Sequence, residues 1–212
     1  MQIKPILKFK AALFILAVVF FLSSCSSAIS LKSGDGGSLI DEKNNRSYID
    51  CSLSLRAVSI KTDVYAKGSR NDRVTLYEIV GLDPAEWLSE DITAGIPLVF
   101  REQTAVPVEP TIEDFDSVIY LTQTEVLTLQ IGIIEDKDVI LGYISELLTN
   151  EEATLPSHDN LDFNYTLNFA SDKYPGLYYL VQYYADTSGK FYLYDRGMKK
   201  CVISNTELPQ TD

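Results

Sequence analysis

The chain has 212 residues, with 30 acidic side chains against 18 basic ones and a formal net charge of −12. That balance excludes nucleic acid as a partner, because phosphate backbones are bound by clustered Lys and Arg, and an anionic lipid surface would repel the chain as well. The length suits one domain with a tether, or at most two small domains.

Residues 1–10 carry Lys4, Lys8 and Lys10 and no acid, and Ala11 to Leu22 then form an unbroken apolar block that ends in small residues. Basic, apolar and small segments in that order make a secretory leader. A retained membrane helix is excluded by reach, since twelve residues rise about 18 Å in a helix against roughly 30 Å of hydrocarbon. Leu22-Ser23-Ser24-Cys25 closes the leader. It resembles the lipobox of bacterial lipoproteins, with Leu22 in the large apolar place, Ser24 in the small one and Cys25 in the invariant one. The resemblance covers only residues 1–25. It implies that the Cys25 thiol is joined to diacylglycerol, that residues 1–24 are removed, and that Cys25 becomes the N-terminus, held by acyl chains such as palmitate on the extracytoplasmic side of a membrane. Outer and cytoplasmic membrane both remain open. Each buried methylene contributes about 0.8 kcal/mol, so two chains hold far better than one. Losing three lysines and no acid takes the mature chain from −12 to −15.

Ser26 to Ser47 is rich in Ser, Gly, Asn and charge, and its composition predicts a flexible linker over 25–47. From Tyr48 the residues Ile49, Cys51, Leu53 and Leu55 alternate with polar ones, and the phase slips near Ala57-Val58, which predicts one long bulged strand. Val64–Ala66 and Val74–Val80 read as a hairpin. Asp83-Pro84-Ala85-Glu86 has the residues of a helix start and predicts a short helix carrying Trp87 and Leu88. Ile96–Phe100 follows as a strand, and then an acidic loop with Glu113, Asp114 and Asp116.

Val118–Leu121 and Leu127–Ile134 read as paired strands at the centre of a sheet. Across 137–149, Val139, Ile140, Tyr143, Ile144, Leu147 and Leu148 recur at the helical interval, with Asp136 placed to cap and Asn150 to stop the helix. Its stripe must be buried on the sheet. Alternating segments from Phe163 to Ser204, separated by the turns Tyr174-Pro175-Gly176, Asp186–Gly189 and Arg196-Gly197, predict a β-meander. The expected architecture is therefore α+β: a mostly antiparallel sheet in a single domain over 48–206, with the 137–149 helix packed on one face, the meander at the C-terminal end, and a tail over 207–212.

No P-loop, nucleophile elbow, His-Glu-x-x-His or Cys-x-x-Cys is present. No catalytic residue, metal ligand or cofactor is assigned, and the one histidine, His158, lies in a polar loop. Asp159 to Asn164 offers oxygens but lacks the glycine and the terminal glutamate of a calcium loop. With Cys25 committed to lipid, Cys51 and Cys201 are the remaining pair. A disulfide between the first and last strands and two buried thiols acting as small hydrophobes both suit their positions. Seven of the 13 tyrosines gather between Tyr174 and Tyr194. Alternation puts Tyr178 and Tyr184 opposite Tyr179 and Tyr183. Tyr178, Tyr184, Tyr192 and Tyr194 are accordingly the candidate partner-binding residues, set against ordinary cross-strand pairing. The expected function is a membrane-anchored envelope lipoprotein acting as a non-catalytic binding module for a protein or a cell-wall glycan. A carboxylate-based envelope hydrolase and an accessory subunit of an envelope complex are the alternatives.

Overall fold

The computed structural model describes residues 28–68, 74–94, 97–110, 115–123 and 127–208. The leader with Cys25, the hairpin tip 69–73, Ile96, Glu113, Asp114 and residues 209–212 lie outside the described residues.

Seven short strands close into a barrel. β1 (Ile29–Ser33), β2 (Leu39–Asp41) and β3 (Arg46–Asp50) come first. The chain then leaves the barrel through β4 (Leu55–Ala57) and returns as β5 (Ile60–Gly68), β6 (Thr75–Ile79), β7 (Trp87–Ser89) and β8 (Val99–Glu102). The ring runs β1-β2-β3-β8-β7-β6-β5, and parallel pairing of β1 with β5 closes it. Closure leaves no free strand edge. Each barrel strand places one side chain in a common cluster: Leu31, Leu39, Tyr48, Ala66, Leu76, Leu88 and Phe100. Burying a side chain of Leu or Phe size contributes about 1.5–3 kcal/mol, which is how strands that, apart from the nine-residue β5, have only three to five residues hold together. Tyr48 satisfies its hydroxyl by donating to the Ala85 carbonyl at 3.3 Å. The buried Asp41 accepts from Asn44 N at 3.1 Å and Nδ2 at 2.6 Å, tying the β2–β3 turn.

The second body is an antiparallel sheet. β9 (Ser117–Gln123) and β10 (Thr128–Ile134) lead into helix α1 (Lys137–Thr149). β11 (Leu161–Ala170), β12 (Leu177–Asp186), β13 (Phe191–Asp195) and β14 (Lys200–Ser204) follow, in the spatial order β10-β9-β11-β12-β13-β14. The fold is thus α+β, with one helix on one face of a mostly antiparallel sheet and a C-terminal meander. Asp136 caps α1 by accepting from Asp138 N at 2.9 Å. The buried Ile140, Tyr143, Ile144 and Leu147 cover the inner face of the sheet, where the Tyr143 and Tyr183 rings meet edge to face at 6.1 Å. Glu146 fastens the C-terminal segment, accepting from Ser204 Oγ at 2.6 Å and Asn205 N at 2.9 Å.

β12 joins the two bodies. One of its edges pairs with β11 throughout; the other pairs with β4 over Leu177–Tyr179 and with β13 over Gln182–Ala185. Between these two partners, Leu180 N donates to the Ser54 carbonyl at 2.8 Å. Leu55, Ala57, Ile79, Trp87 and Val99 from the barrel side share one core with the inner face of the sheet and α1.

Four sequence expectations are corrected. The supposed linker forms β1, β2 and the start of β3, and the first barrel strand begins only four residues after Cys25. Its composition misleads because each of β1 and β2 needs only one fully inward apolar residue, Leu31 or Leu39. The single long strand from Tyr48 is instead β3, a turn in which Ser54 N and Leu55 N donate to the Cys51 carbonyl, then β4 and β5, so that it serves both sheets. The helix after Asp83 is one turn only. Asp83 caps Ala85 N at 2.8 Å, and the chain then becomes β7, with Leu88 in the barrel and Trp87 in the shared core. One turn cannot repay helix nucleation. Finally, β10 is an edge strand with Leu129 and Ile133 exposed, and only β9 is internal.

The junction is tight at Gly176, which has φ +84°. A Cβ there would lie 2.7 Å from the Val80 carbonyl oxygen and 2.8 Å from Ile79 Cγ2. Gly189 has φ +82° with nothing within 4 Å. Gly176→Ala should therefore cost about 2–4 kcal/mol, from left-handed strain plus overpacking, and Gly189→Ala only about 1–2 kcal/mol. Thermal unfolding of the two variants checks this; equal losses would show that the junction is not close-packed.

Candidate functional site

Cross-strand register assigns the sheet's outer face, opposite α1. Leu121 and Gln182 each pair with Thr166, Leu180 pairs with Asn168, Gln123 with Thr128, Tyr194 with Gln182, Tyr192 with Tyr184, and Arg56 of β4 with Tyr178. Paired residues share a face. All four candidate tyrosines therefore lie on this face, while Tyr179 and Tyr183 are buried on the inner one. The four are not equally available. Tyr184 and Tyr192 are 9% and 8% exposed and pack with Cys201, whereas Tyr178 and Tyr194 are half-buried. The Tyr192 hydroxyl donates to Asp186 Oδ2 at 3.0 Å, and burial followed by that carboxylate pushes its pKa up.

Between the Tyr178–Arg56 pair and the Tyr194–Gln182 pair lies a pocket of about 110 Å³, where the second edge of β12 passes from β4 to β13. Its floor is Leu121, Thr166, Leu180 and Gln182, and its rim includes Arg56 and Arg196. Gln182 Nε2 donates to Thr166 Oγ1 at 3.2 Å, fixing both side chains. Among the described residues, no carboxylate lines the pocket. Sequence reasoning missed Arg56 and Arg196, because only the pairing of β4 with β12 brings residues so distant in the chain onto one surface.

A second cleft, of about 490 Å³, opens at the junction between the barrel and the sheet. Asp50, Cys51, Arg101, Glu109, Tyr179 and Met198 are among its lining. Its polar groups are largely occupied with holding the fold. Asp50 Oδ1 accepts from Ser52 N at 2.8 Å, the Arg101 guanidinium donates to the Ala105 carbonyl, and the Tyr179 hydroxyl donates to Asp195. The buried Asp195 also accepts from Met198 N at 2.9 Å. Burial, then the nearby Asp195 carboxylate, raises the Tyr179 pKa.

Cys51 and Cys201 are free thiols, the second of the two arrangements that the sequence left open. Cys51 follows β3 at the barrel junction, donating its N–H to the Val99 carbonyl at 2.7 Å, whereas Cys201 is in β14 beneath the tyrosine cluster. The first and last strands belong to different sheets, so the reading that placed them side by side fails. Burial pushes the Cys201 thiol up to about 11, while Cys51 is raised by burial and partly restored by Arg101. His158 lies in the short turn His158–Asn160, and Asp159–Asn164 is that turn followed directly by β11. Among the described residues, no three His, Cys, Asp or Glu side chains converge as a metal would require.

No protein family model, no curated protein and no solved structure matches the chain.

The denatured, unreduced mature protein should yield two labelled thiols besides any contribution from position 25. In the native protein Cys201 should react far more slowly than Cys51, being both buried and protonated. A mass consistent with one Cys51–Cys201 disulfide would contradict this arrangement.

Proposed function

We propose that the protein is an envelope lipoprotein, anchored through lipid on Cys25, that acts as a non-catalytic binding module for a protein or a cell-wall glycan. The observation that carries the binding reading is the outer face of the sheet, where the half-buried Tyr178 and Tyr194 are the cross-strand neighbours of Arg56 and Gln182, two residues of a pocket that Arg196 also lines. Tyrosine offers an apolar ring and a hydroxyl on one rigid side chain, which suits contact with either partner class. The anchor rests on the resemblance at Leu22–Cys25. Among the described residues, no helix is long and apolar enough to cross a membrane.

The early start of β1 changes the geometry of such an anchor. Ile29 is the fourth residue after Cys25, and four extended residue steps span at most about 14 Å. A lipidated Cys25 would therefore hold the barrel close to the lipid surface.

Cys25→Ala should shift the protein from the membrane fraction to the soluble fraction. A photo-crosslinking residue at position 178 or 194 of the anchored protein should give partner adducts, whereas one at the helix-side position Leu148 should not. Sedimentation with purified cell-wall sacculi separates the glycan from the protein source. Adducts from Leu148 alone would place the interaction elsewhere and overturn the assignment of the face.

A further inference from the structure

We propose that the pocket at the fork of β12 is a binding site for a small oxyanion, a carboxylate or phosphate group, held between Arg56 and Arg196. This deepens the binding-module reading and rests on it for the origin of the anion. The first support is charge. Acids outnumber bases 30 to 18 in the chain, yet none of the ten described residues lining the pocket is acidic and two are arginines. Three surface lysines are paired with carboxylates, in Lys32–Glu42, Lys61–Glu78 and Lys137–Asp116. Arg56 and Arg196 have no such partner among the described residues. An anion in the pocket would be attracted by both guanidinium groups that line it. Arginine's planar fork of donors matches carboxylate and phosphate oxygens.

The second support is the remaining lining. Gln123, Thr128, Thr166 and Gln182 supply neutral donors that can complete an oxyanion's hydrogen bonds, while the Ser52 hydroxyl is already donated to Asp50. The Gln182–Thr166 hydrogen bond holds two of them in place before a ligand arrives. The third support is size. At about 110 Å³ the pocket has room for roughly three to four waters at about 30 Å³ each. That space accommodates one carboxylate or phosphate group. A larger ligand would insert its anionic group while its body lies against Tyr178 or Tyr194.

The test uses the purified mature protein in nonionic detergent. Sodium acetate and, separately, sodium phosphate are titrated at constant ionic strength against sodium chloride, with tyrosine fluorescence and thermal midpoint as readouts. A saturable change with acetate alone identifies a carboxylate site, with phosphate alone a phosphate site, and with both a general oxyanion site. Arg196→Gln, at an exposed position, and Arg56→Gln should each weaken half-saturation about tenfold or more, the loss expected for a charge-assisted hydrogen bond. The exposed Arg196→Gln variant keeps the test valid if Arg56→Gln folds poorly. Absence of any saturable change relative to chloride, or a change left intact by Arg196→Gln, would overturn the site. Neither result bears on crosslinking from positions 178 and 194, so the pocket and the wider binding face can fail separately.

Discussion

The divided edge of β12 is the constraint on which the architecture depends. A ten-residue strand offers more backbone donors and acceptors than either neighbour on that side can satisfy. The barrel's β4 takes one end, β13 takes the other, and the Ser54 carbonyl accepts from the amide of Leu180 in the gap. Buried backbone groups left unpaired would be costly, so the division fixes how the barrel and sheet meet. Once β4 is docked, Leu55 and Ala57 enter the sheet's core and Arg56 must point to the opposite face. The same pairing that stabilises the junction thereby positions the outer-face pocket.

The two sheet faces carry different chemistry for a simple reason. α1 covers the inner face, so Tyr179 and Tyr183 are buried there among Phe115, Tyr143, Phe163 and Phe191. On the outer face the burial is uneven. Tyr184 and Tyr192 close over Cys201 at one end with the half-buried Tyr194 packed against them, while the half-buried Tyr178 lies beside Arg56. The surface is thus a built mixture of rings, amides and guanidinium groups, with its rigidity supplied by the strands beneath.

The C-terminal half was legible in the sequence because its elements are long and periodic. The stripe from Val139 to Leu148 gave the helix, Asp136 gave its cap, and the alternation from Phe163 onward gave the meander. The barrel was not legible. Its strands are short and each commits one residue to the cluster of Leu31, Leu39, Tyr48, Ala66, Leu76, Leu88 and Phe100, a pattern too sparse to stand out from a polar linker. The tyrosine face was found by alternation, but its unequal burial and the addition of Arg56 and Arg196 depend on contacts between distant segments. Cys51 and Cys201 were misplaced for the same reason, since strand order in space does not follow order in the chain.

The central claim is that barrel and sheet form one cooperative unit through the shared edge of β12. Native-state hydrogen exchange, followed at the amides of Leu180 and Val58, tests it most directly. Leu180 donates to the Ser54 carbonyl and Val58 to the Gly176 carbonyl across the junction. Both should exchange only with global unfolding, at the same free energy as the central β11–β12 amides. Exchange of these two amides through a lower-energy opening that releases the barrel while β11–β12 stays protected would contradict the account.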